Sequence, residues 1–488
     1  MKKVTRRSFL KTSATAAAGL SAARSVLSSG VVGANDDIRV GVVGFGGQGG
    51  GHINEFQNME GVRVVALCDV DRDILNGKVR ELDEQGVKVD AYTDVRKLLE
   101  NKNIDAISIA TPNHWHALCA IWACQAGKDV YVEKPVSHNV WEGRKIVEAA
   151  RKYNRIVQTG TQKRSDEGLQ EVFDYIQKGN LGKMLVSRGF CYKRRASIGK
   201  VSGPQPVPAA VDYNLWTGPA PLGPLLRERL HYDWHWVWPT GSGDLGNQGI
   251  HEMDLARWAT GQQALPPRVM SIGGRFGYDD DGTTANTQIG VLAYEPAPVI
   301  FEVRGLPQKT GQEAMDNYRG TRIGVSVECE NGYFVGGGGG GWVYDNEGNR
   351  VKQFVGSGGG NHYRNFIKAV RSRKVSDLTA DILKGHLSSA LCHMANVSHR
   401  LGQRVSPDKV REAIGDNPLI LEAFERFEKH LKANDVDASK EGIVLGPWLT
   451  MDPGTERFTG AGEYSVTRWA NDLLTRDYRE PFVVPENV

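Results

Sequence analysis

His251 ends the stretch Gly246-Asn247-Gln248-Gly249-Ile250-His251, a glycine-rich approach to a segment that reads as a helix. An imidazole at such an opening can take a proton from a bound hydroxyl if a neighbour orients it. A carboxylate is the natural orienting group, but the position one helical turn earlier holds the amide of Asn247. A histidine on its own is by default structural, so the chemistry depends on what else reaches the same place. Two further polar clusters, Thr111-Pro112-Asn113-His114 and Glu133-Lys134-Pro135, each follow a β-branched run. Polar groups at the carboxyl ends of parallel strands are better placed for chemistry than for packing.

Those strands belong to a regular alternation. Ile38 to Val43 is a β-branched run, followed by Gly44-Phe45-Gly46-Gly47-Gln48-Gly49 and a candidate helix carrying Ile53 and Phe56. A second strand, Val-Arg-Val-Val-Ala-Leu-Cys, leads to Asp69, 20 residues beyond Gly49. This spacing is that of a dinucleotide site: Gly44 permits a tight turn, Gly46 lets backbone approach a pyrophosphate, Gly49 allows close helix packing, and Gly47 belongs to the same cradle. Asp69 would accept from the adenosine ribose hydroxyls, which favours NAD over NADP, with Arg72 the one contrary residue nearby. Further helices and strands alternate to about residue 160, so a parallel, doubly wound α/β domain is expected.

The 488 residues, with 40% hydrophobic and 24% charged, predict an ordinary globular protein of two domains plus extensions. Residues 1–34 read as a twin-arginine export signal: Thr5-Arg6-Arg7-Ser8-Phe9-Leu10-Lys11, an Ala/Ser-rich stretch, then Val32-Gly33-Ala34 before a cleavage point. A periplasmic or otherwise exported location follows, with the twin-arginine translocase as a partner in transit and no membrane attachment after cleavage. Removing those six basic residues, which come with no acid, turns the net charge of +3 into −3. Nucleic-acid binding is therefore not expected. The six cysteines lack metal-ligand spacing and read as buried thiols, and no metal is expected.

Together, "VGFGGQG", "CDVD", "TPNHWHA", "VEKPVSHNVWEGRKIVEAARKY", "QTGTQKRS", "GNQGIHEMDLARWATG" and "GHLSSALCHMANVSHRLG" resemble the glucose-fructose oxidoreductase and inositol dehydrogenase family, Gfo/Idh/MocA, over roughly residues 38 to 405. The resemblance implies an α/β Rossmann domain (35–161), then an α+β domain with a large open mixed sheet (162–405), with residues 406–488 as an extension. It implies a homo-oligomer built through the second-domain sheet. It also gives Lys134 a place at the nicotinamide ribose and substrate oxygen, with Pro135 following a cis peptide. Asn113 and His116 would line the cofactor cleft with Thr111 and Glu133, and Gln162 would lie near the nicotinamide. His251 matches the family's active-site histidine, and Asn247 stands where dehydrogenases of the family commonly carry a carboxylate.

Between Arg188 and Trp258 the chain is rich in aromatics, which stack on the C–H faces of sugar rings while Arg and His bond hydroxyls. Arg164, Tyr192, Trp234, His235 and Asn247 are the candidate substrate contacts. Trp234, Trp236 and Trp238 alternate, so a buried strand face accounts for them equally well. Six glycines at 336–341 read as a flexible loop, and His386 and His393, seven apart on one helix, as packing or supporting residues. The leading functional expectation is an exported oxidoreductase acting on a sugar with tightly held NAD. A redox-neutral glycoside hydrolase or lyase using transient oxidation is the alternative, and a sugar-binding protein without turnover the third.

Overall fold

In the computed structural model, residues 37–488 other than 461 and 463 are described, and the expected export signal lies outside them. The first sheet comprises β1 (Ile38–Val43), β2 (Val62–Cys68), β3 (Asp90–Tyr92), β4 (Ala106–Ile109), β5 (Asp129–Val132) and β6 (Val157–Thr159). All pairings are parallel, in the order β3-β2-β1-β4-β5-β6. Strands β4 and β5 are buried at every position, as they must be when crossover helices cover both faces. Strand order reverses between β1 and β4, so a crevice opens there beyond the strand ends.

The second sheet has 12 strands and contains β7 (Met184–Tyr192), β8 (Arg268–Gly274), β9 (Thr287–Leu292), β10 (Val299–Arg304), β11 (Ile323–Cys329), β12 (Gly332–Gly337), β13 (Gly340–Tyr344) and β14 (Arg350–Val355). Strands β7 and β10 pair in parallel, and their neighbours run antiparallel, making the sheet mixed. On one face lies the helix Gly249–Thr260, which starts two residues before His251. Gly189 and Gly249 let it sit close: a Cβ at either would lie within 2.5 or 3.0 Å of the Phe301 ring.

The glycine run is not a loop. It forms the β12–β13 hairpin, turning at Gly338–Gly339, because a Cβ at Gly336 or Gly341 would strike the Phe334 ring that the glycines make room for. Asp166 then ties the hairpin to the second glycine run, accepting from the amides of Gly339 and Gly358 at 2.8 and 2.6 Å.

Residues beyond 406 reach both domains. The helix Pro418–Ala433 packs Ile420, Phe424 and Phe427 on Ile272, Ile289, Val291 and Ile300, covering the outer face of β8–β10. The chain itself therefore occupies part of the surface expected to mediate self-association. Three short strands, β16 (Ile443–Leu445), β17 (Leu449–Asp452) and β18 (Arg457–Gly460), following β15 (Gln403–Val405), extend the sheet beyond β8. Finally, Phe482, Val484 and Val488 join the core of the first domain beside Trp115. All six cysteines are buried and unpaired.

Candidate active site

A cleft of about 490 Å³ opens at the crevice between β1 and β4 and runs on to the second domain. Gly44, Gly46 and Gly47 form its near wall, with Asp69, Thr111, Asn113, His116, Glu133 and Lys134 beyond them. The glycine loop is built by close approach. Gly44 has φ +75° and no room for a Cβ, which would lie 2.8 Å from the Thr111 amide nitrogen; at Gly49 a Cβ would be 2.0 Å from the Gly44 carbonyl oxygen. The helix Gln48–Gln57 begins here without a side-chain cap, so its first amides are free to receive an anion.

Asp69 accepts from the amides of Phe45 and Asp71, each at 3.0 Å, which fixes its carboxylate at the end of β2. Burial raises its pKa, and those two amides oppose the rise. Arg72 points away from a ribose phosphate site: its guanidinium donates to the Ala209 carbonyl at 2.8 Å. Thr111 Oγ1 is buried without a partner, leaving a hydrogen-bonding group unsatisfied at the cleft. The glycine cradle, uncapped helix, fixed Asp69 and orphaned Thr111 hydroxyl together fit a dinucleotide with an unphosphorylated ribose.

Lys134 follows β5, and its peptide to Pro135 is cis. His116 braces this turn, its two ring nitrogens facing the carbonyls of Pro135 (2.6 Å) and Thr111 (2.8 Å). Asn113 Nδ2 donates to Ser242 Oγ at 3.2 Å, joining the domains behind the cleft. Glu133 meets His52 at 3.3 Å and Gln162 at 3.0 Å. Burial alone would raise its pKa, but the His52 contact and the Lys134 charge prevail and hold it at about 2. Gln162 therefore supports Glu133 from behind and is not itself on the cleft wall.

Lys134 Nζ reaches the second domain, donating to the backbone carbonyl of Asn247 at 3.2 Å, one helical turn before His251. His251 lies one turn behind Asn247 and Gln248, which line the cleft while it does not, and its Nδ1 is buried without a partner. Burial depresses this imidazole well below its usual value, and Lys134 and Lys163 add to the effect while Glu133 opposes it. The carboxylates near it in sequence are committed elsewhere, Asp244 to Arg195 through bonds of 2.8 and 2.7 Å, Glu252 to Lys163, and Asp254 to Arg164.

Two further sequence candidates, Arg164 and Tyr192, lie away from the cleft. Arg164, 5% exposed, grips Asp254 through paired bonds of 2.8 Å and lies over the Trp258 ring. Tyr192 is fully buried and donates to Glu302 at 2.7 Å on the sheet face covered by the C-terminal helix. Alternation along an extended chain is the reason: Tyr192 points outward, and Lys193, one residue on, lines the cleft. The tryptophan stretch is a 3-10 turn, Asp233–Trp236, and not a strand. Trp234 lines the cleft with His235 stacked on it at 3.7 Å, whereas Trp236 is buried beneath Arg195. Burial lowers His235 to about 3, so it is a neutral ring.

Sequence reasoning did not find Lys193, Arg195, Trp216, His231, Tyr232 or Gln248, all on the cleft wall. The signals in the sequence were the Lys193-Arg194-Arg195 run and the aromatic richness of the segment that holds Trp216 and Tyr232. Tyr232 has φ +75° and ψ −55°, with the Asp233 amide donating to the His231 carbonyl at 3.1 Å: a strained γ-turn that presents a ring 51% exposed. Elsewhere, His386 pairs with Glu456, and His393 Nε2 meets the Ser137 carbonyl.

A dinucleotide crevice in a Rossmann domain, continued by a mixed-sheet domain whose Asn247 meets Lys134 on the cleft wall, defines an NAD-binding oxidoreductase architecture. Residues 38–161 match the oxidoreductase family's NAD-binding Rossmann fold and residues 170–295 its C-terminal alpha/beta domain, just over half the chain between them. The chain belongs to the Gfo/Idh/MocA oxidoreductase family. It is 32% identical over 206 residues to a glycosyl hydrolase family 109 protein of Shewanella pealeana, covering 38% of this chain and 45% of that one. It is likewise 32% identical over 158 residues to inositol 2-dehydrogenase of Salmonella typhimurium, covering 32% and 46%. The chain thus spans about half the length of these relatives. In fold, it is similar to the WlbA dehydrogenase of Bordetella pertussis solved with NADH and UDP-GlcNAcA, at TM-score 0.54 and 20% identity over 73% of this chain and 94% of that one.

Proposed function

We propose that the protein oxidises a hydroxyl of a sugar or sugar derivative and keeps its NAD between turnovers. The observation that carries this reading is the bond from Lys134 to the Asn247 carbonyl on the cleft wall, which sets the lysine at the turn that leads to His251. NAD, when bound, supplies the hydride acceptor. His251, neutral because buried among cations, takes the hydroxyl proton, and Lys134 holds the same oxygen as its charge develops. Trp234 and Tyr232 offer ring faces to the substrate's C–H surfaces.

Cofactor retention is supported by a strap from the second domain. Asp212 and Arg72 exchange backbone bonds with Val70 and Ala210, His231 meets Asp71 at 3.0 Å, and the Trp216 carbonyl accepts from Trp115 while facing His114. These contacts hold the strap over both loops that flank the nucleotide crevice. Retention suits an exported enzyme, which would otherwise lose its cofactor where free NAD is scarce. The twin-arginine pattern of residues 5–11 supports export after folding in the cytoplasm, as do six reduced, buried thiols.

The similarity to a glycosyl hydrolase family 109 protein favours a second reading: transient oxidation, elimination of the glycosidic substituent, addition of water to the resulting enone and reversal of the oxidation, with no net redox change. Incubating the purified holoprotein with mono- and disaccharides while following NADH absorbance and released sugar separates the two. Persistent NADH supports the oxidoreductase, and cleavage without NADH supports the second reading. In either case His251→Asn abolishes the chemistry while bound NAD remains. Activity undiminished in that variant defeats both.

A further inference from the structure

We propose that the substrate carries an anionic group, a sugar-borne carboxylate or phosphate, which binds Lys193 beside Gln248, so that the cleft selects acidic sugars over neutral ones. The proposal rests on the carbohydrate reading above and narrows it. The support is the charge balance at the far end of the cleft. Lys163 is paired with Glu252, and Arg195 with Asp244. Glu133 is occupied by His52, Gln162 and the Lys134 amide. Lys134 and Lys193 remain, and among the described residues neither has a carboxylate within ion-pair range; their ammonium groups meet only neutral oxygens, Asn247 O at 3.2 Å and Gln248 Oε1 at 3.0 Å.

The two cations therefore reach consecutive residues of one turn, one from the first domain and one from the end of β7. Glu133 offsets the charge of Lys134, whereas the carboxylate that acts on Lys193, Asp244, is already paired with Arg195, so an anion brought by the ligand would be the direct counter-ion of Lys193. Lys134 has a task at the reacting oxygen; Lys193 has none unless the ligand brings its counter-charge. The cofactor pyrophosphate has its own cradle in the glycine loop of the first domain, whose Gly44, Gly46 and Gly47 line the cleft, whereas Lys193 enters from the end of β7. Lys193 lines the same cleft as Trp234 and Tyr232, so a sugar held against those rings could bring an exocyclic acidic group to the ammonium.

The test uses the NAD-containing protein and three probe types: D-glucuronate against D-glucose, D-galacturonate against D-galactose, and glucose 6-phosphate. Calorimetric binding and the absorbance of bound NADH are followed together. The acids should bind about tenfold or more tightly than their neutral counterparts, as a charge-assisted contact implies, with the advantage shrinking as ionic strength rises. Lys193→Met should bring the acid-to-neutral ratio close to one and Lys193→Arg should preserve it, with bound NAD and melting temperature confirming intact protein. Preference for the uronates or for the phosphate identifies the anion. Neutral sugars bound as tightly as acids, or a ratio unaltered by Lys193→Met, overturn the proposal and leave the carbohydrate reading standing. If no sugar of either kind binds, both fall.

Discussion

Lys134 donates its ammonium to the backbone carbonyl of Asn247, and it is through this carbonyl that the amide residue takes part in the site. A side chain in place of the expected carboxylate suggested an altered support for His251, but the structure locates the alteration elsewhere. The imidazole's Nδ1 is buried and unpartnered, and its pKa is set by burial and by lysines. The histidine is a weak base surrounded by positive charge.

A base whose pKa is depressed remains unprotonated to lower pH, so the acidic limb of kcat/KM should fall below the ordinary histidine value of 6.5. Asn247→Asp introduces a negative charge that favours the imidazolium, and the limb should move upward. A pH-rate profile identical to that of the wild type would show that position 247 does not couple to the base.

Tyr232 holds a backbone conformation that costs on the order of 1–3 kcal/mol in a residue with a side chain. Tyr232→Gly removes that strain at an entropic cost of about 1 kcal/mol, so stability should change little or rise. Sugar affinity should nevertheless fall about fivefold to tenfold with loss of the stacking ring. Melting curves and sugar titrations made on the same samples check this; a large drop in stability with affinity intact would mean that the ring is a packing residue.

Much of the cofactor half of the cleft was legible in the sequence because its constraints are local. Gly44 to Gly49 and Asp69 lie within one strand-turn-helix-strand unit, and their types follow from close backbone approach. The substrate half is set by contacts distant in sequence. Nothing near Arg164 reveals that Asp254, 90 residues later, neutralises it. Reading Tyr192 as a cleft residue located the right strand end, but the covering helix at 418–433, which decides which face is outside, could not be seen from β7. The Tyr232 γ-turn was equally hidden, since no glycine marks its positive φ.

Gly49→Ala should abolish cofactor retention. The added methyl would lie 2.0 Å from the Gly44 carbonyl, and backbone cannot yield as a flexible side chain does. The loop must open, at a cost of about 1–3 kcal/mol or more. NAD content after gel filtration, read from the supernatant of denatured protein, should fall far below that of the wild type, whereas Gly47→Ala, which meets no atom within 4 Å, should retain much more.

Loosening the strap should speed cofactor loss without touching the cradle. His231→Ala removes the 3.0 Å contact to Asp71, and Arg72→Ala removes the bond to Ala209. Each bond contributes about 0.5–1.5 kcal/mol, so the double variant should release NAD roughly tenfold to a hundredfold faster. Exchange against labelled NAD measures the rate, and an unchanged rate would show that the strap does not retain the cofactor.

Arg164→Leu distinguishes a buried ion pair from a sugar contact. Asp254 would keep Ser388 at 2.6 Å but lose all three bonds from the Arg164 guanidinium, with Arg257 Nη2 3.9 Å away. Leaving a buried carboxylate so weakly compensated costs about 3–5 kcal/mol. Replacing both partners, Arg164→Leu with Asp254→Leu, removes the charge as well as its counter-ion and should recover part of that loss. Denaturant unfolding of the wild type, single and double variants gives the coupling. If Arg164 is structural, sugar affinity of the folded single variant stays near that of the wild type; a weakened affinity with undiminished stability would return this residue to the substrate site.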